Sequence, residues 1–414
     1  MKHLFLPLLL IAQSLFAQTD STATDSLSLK TLGTVSITAK PSPVKVAVDR
    51  TILNVAALPA AGGANALELL RNLPGVTVDP QENINVSGKG SVLVLIDDRP
   101  TYLSGQDLAA LLKSMMADDV KEVELLSNPP ARFDAAGNAG IINIKMKKSA
   151  VRGMHSNIGS SWAQSTHARQ SGNWSGNWRQ RQWNLYWNAS ANRGYQETIA
   201  NNDRILKDGI ITQRSLEGDQ FRGYSVRTGI DYRINPKSTV GVLYTTNSRH
   251  TTMRNNSINT IDRAIDTAIQ TSTRFPQTIT RQGINANYAF AGKKSNLNVD
   301  ADFSRYKGRY SNEVLNTVQN EVSGLANALG VDIGLWSFRA DWSRQTAKGY
   351  KWEAGAKWVH TGNGSDLSSF VLNNKIWKQD SLLSVNFLFH ERIAATYGSV
   401  RHEGKKWSWQ AGLR

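Results

Sequence analysis

VKEVELLSNPPARFDAAGNAGIINIKMKK, residues 120–148, is the stretch whose reading decides the fold. Val120, Val123 and Leu125 stand among charged neighbours, as in a half-buried strand. Pro129 and Pro130 interrupt it, because proline brings no backbone N–H to a ladder. A turn rich in Ala and Gly follows, and Ile141 to Lys147 alternates as a second strand. The stretch divides the chain into an upstream part of mixed periodicity and a downstream part of period two.

Upstream, Asn65 is placed to cap a helix carrying Ala66, Leu67, Leu69, Leu70 and Leu73, which Pro74-Gly75 stops. Ile84 to Ser87 and Val92 to Ile96 read as short strands joined at Gly88-Lys89-Gly90. Ser104-Gly105-Gln106-Asp107 has the spacing of a capping box, with Asp in the final position, and Leu108, Leu111, Leu112 and Met115 follow at helical spacing. Short strands with two helices make a small α+β unit, placed at residues 40–150.

Downstream, over residues 151–414, one face of each segment is apolar and the other polar. Trp183, Leu185, Trp187, Ala189 and Ala191 alternate with Asn184, Tyr186, Asn188, Ser190 and Asn192. The same pattern returns at Tyr224 to Tyr232, Val240 to Tyr244, Ile284 to Phe290, Leu297 to Phe303, Trp336 to Trp342 and Trp352 to Trp358. Phe387, Phe389, Glu391, Ile393, Ala395 and Tyr397 give a last long example. Antiparallel sandwiches also alternate. Segments of about ten residues with aromatics near their ends are what transmembrane β-barrels show. Turns such as Asn235-Pro236-Lys237 and polar stretches such as Ala200 to Asp219, read as a long loop, add to the barrel reading. About eleven strands are expected, the last at Lys406 to Arg414. The fold class is therefore an α+β domain followed by an all-β antiparallel transmembrane barrel. Only about half of a 22-stranded barrel is present on this count, so a truncated or incomplete product is expected, since open edges are not tolerated in lipid.

Met1 to Ala17, with Lys2, His3, the apolar run Leu4 to Ile11 and Ala17 before Gln18, has the anatomy of a signal peptide. Residues 18–39 form a Ser/Thr/Asp-rich leader that ends in a β-prone segment, Leu32 to Ala39. The net charge of +15 lies in the second part: residues 1–150 hold 14 Lys/Arg and 14 Asp/Glu, and residues 151–414 hold 34 and 19. The first of the 12 tryptophans is Trp162. A nucleic-acid binder gathers its basic residues on one reading element, whereas these are scattered along alternating segments, so no nucleic-acid partner is expected. The absence of cysteine excludes disulfides and thiolate metal sites.

The motifs resemble the plug domain and barrel of TonB-dependent outer-membrane receptors, in the branch common in Bacteroidetes. The plug pattern is carried by Pro74, Gly75 and Val76, and by Pro129, Ala131, Phe133, Gly137, Gly140, Ile142, Asn143 and Ile144. Asp97-Asp98-Arg99-Pro100 stands where the family usually has "DG-[basic]-P". By the resemblance, Thr34, Val35, Ser36, Ile37 and Thr38 are the candidate Ton box. A TonB-type energy-coupling protein, driven by an inner-membrane proton motor, would capture that segment by strand addition. The implied location is the outer membrane, plug toward the periplasm, with outer-membrane lipid or LPS as surroundings. The implied function is energy-coupled uptake of a scarce or bulky small ligand that the sequence does not name. Ser127-Asn128-Pro129 replaces the family's Arg-Gly-Pro, so its arginine lock does not carry over. No N-terminal β-sandwich module lies between Gln18 and Leu32, which weighs against a SusD-type lipoprotein partner. A non-transporting surface or adhesion barrel with a vestigial plug is the alternative, as is a nonfunctional gene fragment.

No catalytic residues, metal ligands or cofactor are expected, and the chain does not read as an enzyme. His390-Glu391 begins like a zinc-protease motif, but Ala394 stands at the second histidine position and a strand sends neighbours to opposite faces. Ser87 to Ser91 lacks the first glycine and the Lys-Ser/Thr pair of a phosphate loop.

Overall fold

The computed structural model describes residues 42–46, 50–58, 64–79, 82–88, 92–101, 103, 105–126, 140–147, 152–207, 209–262, 267–347, 349–404 and 407–414. The expected signal peptide and leader lie outside them.

Strands β1 (Val44–Val46) and β2 (Thr51–Asn54) form a hairpin, followed by helix α1 (Ala66–Arg71). Asn65 caps α1 as expected, with a reciprocal box: its side chain accepts from the Glu68 amide at 3.0 Å, and the Glu68 carboxylate accepts from the Asn65 amide at 3.2 Å. Then come β3 (Val76–Val78), β4 (Ile84–Val86), β5 (Leu93–Ile96), β6 (Arg99–Pro100), helix α2 (Gly105–Ser114), β7 (Val120–Leu126) and β8 (Ile141–Met146). Six strands make one sheet in the order β1-β2-β7-β8-β5-β6, with β5 parallel to β8, while β3 and β4 pair separately. Val123, Leu125, Ile142 and Ile144 pack with Leu67, Leu70, Leu108 and Leu112 in the main core. Leu95, Leu126 and Ile141 cluster on the other face. The expected mixed α+β architecture is thus present, and the stretch that opened the sequence reading supplies its two adjoining strands β7 and β8.

The second sheet holds eleven antiparallel strands, each beside its sequence neighbours. They are β9 (Gly153–Gln164), β10 (Ala168–Gln180), β11 (Trp183–Leu206), β12 (Gly209–Asn235), β13 (Ser238–Asp262), β14 (Thr267–Ala291), β15 (Ser295–Val318), β16 (Glu321–Gln345), β17 (Tyr350–Asn373), β18 (Ile376–Glu403) and β19 (Ser408–Leu413). The sheet is open, with β9 and β19 at its edges. Strands β11 to β18 run 24–28 residues, where about 9–11 suffice to cross a bilayer. Residues 200–206 and 209–219, expected as a long loop, continue β11 and β12 as a hairpin. Polar composition hid this: strand above the membrane needs no apolar face, so its pattern reads as loop.

The register shows which face meets lipid. Trp187, Thr228, Tyr244, Ile284, Phe303, Trp336 and His360 are successive cross-strand partners on β11 to β17. Their face is opposite the one that Tyr186, Ser175 and Arg339 turn toward the α+β unit. Trp174, Ile284, Trp336 and Phe338 each leave 47–48% of their surface uncovered. A band of exposed large apolar groups across neighbouring strands belongs in hydrocarbon. One expected face is reversed. Tyr397 donates to Asp341 at 2.7 Å and Ser399 to Glu353 at 3.3 Å, which puts Phe387, Phe389, Ile393 and Tyr397 on the side of the α+β unit. Arg392, Ala394 and Thr396 continue the lipid side instead, opposite His360, Trp358 and Ala356. Period two reveals two faces, but only pairing with β17 tells which is which.

Candidate functional site: the junction of plug and wall

The β5–β6 hairpin meets the inner wall at Asp97-Asp98-Arg99-Pro100. Asp97 and Asp98 both take positive φ, 52° and 67°. That is the two-residue hairpin geometry usually given to Asn-Gly or Asp-Gly. A non-glycine residue there is strained, and the neighbours offset it. The Asp97 amide donates to Ile144 O at 3.0 Å and its carboxylate accepts from the Met146 amide at 3.0 Å. The Asp98 amide donates to Asn143 Oδ1 at 3.1 Å, and its carboxylate accepts from Asn143 Nδ2 at 2.9 Å and pairs with Lys145.

Asn143, only 1% exposed, holds this turn to the rest of the unit. Its Nδ2 also donates to Glu124 Oε2 at 2.8 Å, and Arg50 donates to Glu124 Oε1 at 2.9 Å. A carboxylate this buried requires such partners. The centre of the "INI" strand is therefore a polar hub.

Toward the wall, Arg339 on β16 donates to Asp98 O at 3.3 Å while pairing with Asp300 on β15 at 3.0 Å and Asp341 at 3.2 Å. Arg99 donates to Tyr186 OH at 3.3 Å, and Arg227 stacks over the Tyr186 ring at 5.4 Å. Burial works against the Arg99 charge, but Tyr186, Asp231 and Asp300 outweigh it and hold the guanidinium protonated. Lower on the junction, Ser175 donates to Asp119 at 3.3 Å. Burial pushes the Asp119 carboxyl above its ordinary value, against that hydrogen bond. Two cavities flank the contact. One, about 370 Å³, lies between Pro100, Leu103 and Leu111 of the α+β unit and Arg227, Leu243 and Arg281 of the wall. The other, about 430 Å³, is bordered by Asp98, Asp119, Lys147, Arg233, Asp300 and Arg339.

The expected motif residues fall in two sets. Gly75, at φ +84°, makes the turn from Pro74 into Val76, and its carbonyl accepts from the Ser87 amide at 2.8 Å. Val76 pairs with Val86, and a Cβ on Gly140 would meet Val86 at 3.1 Å, so both glycine motifs close around β4. Ile142 and Ile144 lie in the main core. Pro129, Ala131, Phe133 and Gly137, like Thr34, Val35, Ser36, Ile37 and Thr38, lie outside the described residues. Asp98, Arg99, Tyr186, Asp300 and Arg339 were not singled out by sequence as site residues. A signal existed in retrospect: Asp300, Asp302, Arg339 and Asp341 are charges on the otherwise plain polar face of spanning strands. Among the described residues no group of His, Asp and Glu side chains is gathered to hold a metal ion.

Residues 288–414 match the model of an outer membrane protein beta-barrel family. That match covers the last third of the chain, within the eleven-stranded sheet. Among solved structures the chain is similar to the ferric yersiniabactin uptake receptor FyuA from Yersinia pestis, at 14% identity and TM-score 0.38, covering 87% of this chain and 62% of that one. It is similar to the ferric citrate transporter FecA in its unliganded form, at 11% identity and TM-score 0.46, covering 88% and 62%. It is also similar to the siderophore receptor PiuA from Acinetobacter baumannii, at 9% identity and TM-score 0.44, covering 89% and 64%. The chain thus spans less than two thirds of these receptors' lengths. Comparison with curated proteins finds no match.

Proposed function

We propose that the chain is the plug and part of the wall of a TonB-dependent receptor that takes up a small ligand across the outer membrane. The observation that carries this reading is the α+β unit docked on the inner face of the spanning sheet through Asp98, Arg99, Arg339 and Tyr186. A unit seated there obstructs passage along the wall, and passage then requires that these contacts be loosened. A periplasmic partner holding Thr34 to Thr38 would supply the pull, since strand addition needs only an extended, β-prone segment. A small anion suits the basic inner surface, where Arg99, Arg227 and Arg281 border an apolar floor of Leu103, Leu111 and Leu243. Removing residues 32–39 tests the transport reading. Uptake should stop while ligand binding to whole cells is retained. Uptake unchanged by the deletion would overturn it. The anion preference fails separately if binding is insensitive to salt.

A further inference from the structure

The inner face of the wall departs from its polar pattern at one level. Cross-strand partners Ser225, Asn247, Arg281, Tyr306 and Ile333 form one row over β12 to β16. Arg227, Thr245, Gly283, Ser304 and Leu335 form the next row toward the short turns. An inner face that meets water is polar. Yet Leu243, Ile333 and Leu335 stand on it and border the cavity of about 370 Å³ together with Leu103 and Leu111. Gly283 keeps the second row open, since a Cβ there would lie 2.9 Å from Thr245 Oγ1. The hollow is apolar on two sides and compact, near the lower end of the range of about 300–1,000 Å³ that ligand pockets occupy.

Polar groups converge on one rim of it. Arg99, Arg227 and Arg281 border the cavity, with Asp302 as the one carboxylate among the described lining residues. Asp302 already accepts from Asn285 at 2.8 Å, so the arginines set the sign of the field. Arg281 lies over the Tyr306 ring at 4.9 Å. Asn247, the cross-strand partner of Arg281, also lines the cavity and is only 7% exposed. Its Oδ1 is buried with no hydrogen-bond partner among the described residues. Packing of the α+β unit against the wall accounts for the leucines but not for this acceptor, because buried acceptors are normally paired. The Oδ1 is placed for an N–H or O–H of a molecule seated in the cavity.

We propose that this cavity binds a compact organic acid that carries an apolar ring system with an N–H or O–H on it. The carboxylate lies on Arg227 and Arg281, the rings lie between Leu103, Leu111 and Leu243, and the ring donor meets Asn247 Oδ1. This ligand class rests on the uptake reading for its role as cargo; binding is measured without transport, so a failure to bind leaves that reading standing. Three probes of one shape test it by calorimetric titration of the whole chain in detergent: indoleacetate, its neutral amide indoleacetamide, and naphthaleneacetate, which keeps the charge but has no ring N–H. Indoleacetate should bind tightest, with the amide about tenfold weaker for the loss of charge-assisted hydrogen bonds and naphthaleneacetate about fivefold weaker for the unpaired acceptor. Asn247→Leu should make the two acids bind alike while naphthaleneacetate keeps at least its parental affinity, which shows that the variant is folded. Arg227→Gln with Arg281→Gln should abolish the preference for acid over amide. Arg179→Gln with Arg233→Gln, at the other cavity, should leave all three affinities unchanged. Equal binding of acid and amide by the parent chain overturns the proposal. So does an indole preference that survives Asn247→Leu, or the failure of indoleacetate to bind at all.

Discussion

Asn143→Ala is the sharpest perturbation of the α+β unit. The side chain makes three hydrogen bonds: Nδ2 to Asp98 at 2.9 Å, Nδ2 to Glu124 at 2.8 Å, and Oδ1 from the Asp98 amide at 3.1 Å. Two involve carboxylates, for which about 1.5–3 kcal/mol each is usual, and the buried groups left behind add to the loss. Arg50 still pairs with Glu124 and Lys145 with Asp98, so the terms do not sum fully. A net destabilisation of about 3 kcal/mol is expected, which corresponds to local opening roughly 150-fold more frequent. Hydrogen exchange followed by mass spectrometry on the whole chain should show this in peptides covering β5, β7 and β8, with the wall strands unaffected. Repeating the change in a Glu124→Gln background should shrink its effect, because the bond then ends on a neutral group. An acceleration below about fivefold in those peptides would refute the hub assignment.

Three other outcomes follow. Arg339→Leu leaves Asp300 buried without its cation, so it should lower the melting temperature of the folded protein by several degrees and expose the plug to protease; unchanged protease resistance counts against Arg339 as a docking residue. Asp119 has a folded-state value raised above its ordinary 3.8, so its contribution to stability is full below 3.8 and is lost as pH rises through the raised value. Asp119→Asn should therefore stabilise the protein at neutral pH and approach the parent near pH 3.8, which melting curves across pH 3–7 would check. Gly75→Ala meets nothing closer than Leu125 at 3.8 Å, so only the +84° backbone angle opposes it, and a loss of about 1 kcal/mol in denaturant titration is expected.

What could be read from sequence was whatever repeats locally. Alternation located the spanning strands, and Asn65 announced the start of α1, because a cap and a period-two face are decided within a few residues. Asn143 was legible as a motif position but not as a hub, since its partners Asp98 and Glu124 lie 45 and 19 residues away. The docking pair Asp98 and Arg339 is separated by 241 residues, and nothing short of the register of β5 to β16 brings them together. The inward face of β18 was illegible for a related reason. Aromatics on a strand say that one face is apolar, and only the neighbour's hydrogen bonds say where that face points.

The extra length of the wall strands has a consequence for how the molecule meets its surroundings. β15 and β16 continue as a paired ribbon for about fourteen residues beyond the apolar band, roughly 45 Å of strand at about 3.3 Å per residue. Their connection, Gln319-Asn320, is a tight turn with both residues at positive φ, like Asn374-Lys375 between β17 and β18. Beyond the apolar band these two hairpins are thus stiff ribbons tipped by two-residue turns. Exchange of those tip residues leaves the ladder below intact. The tips can therefore change without disturbing the contacts that Asp98 and Arg99 make with the wall.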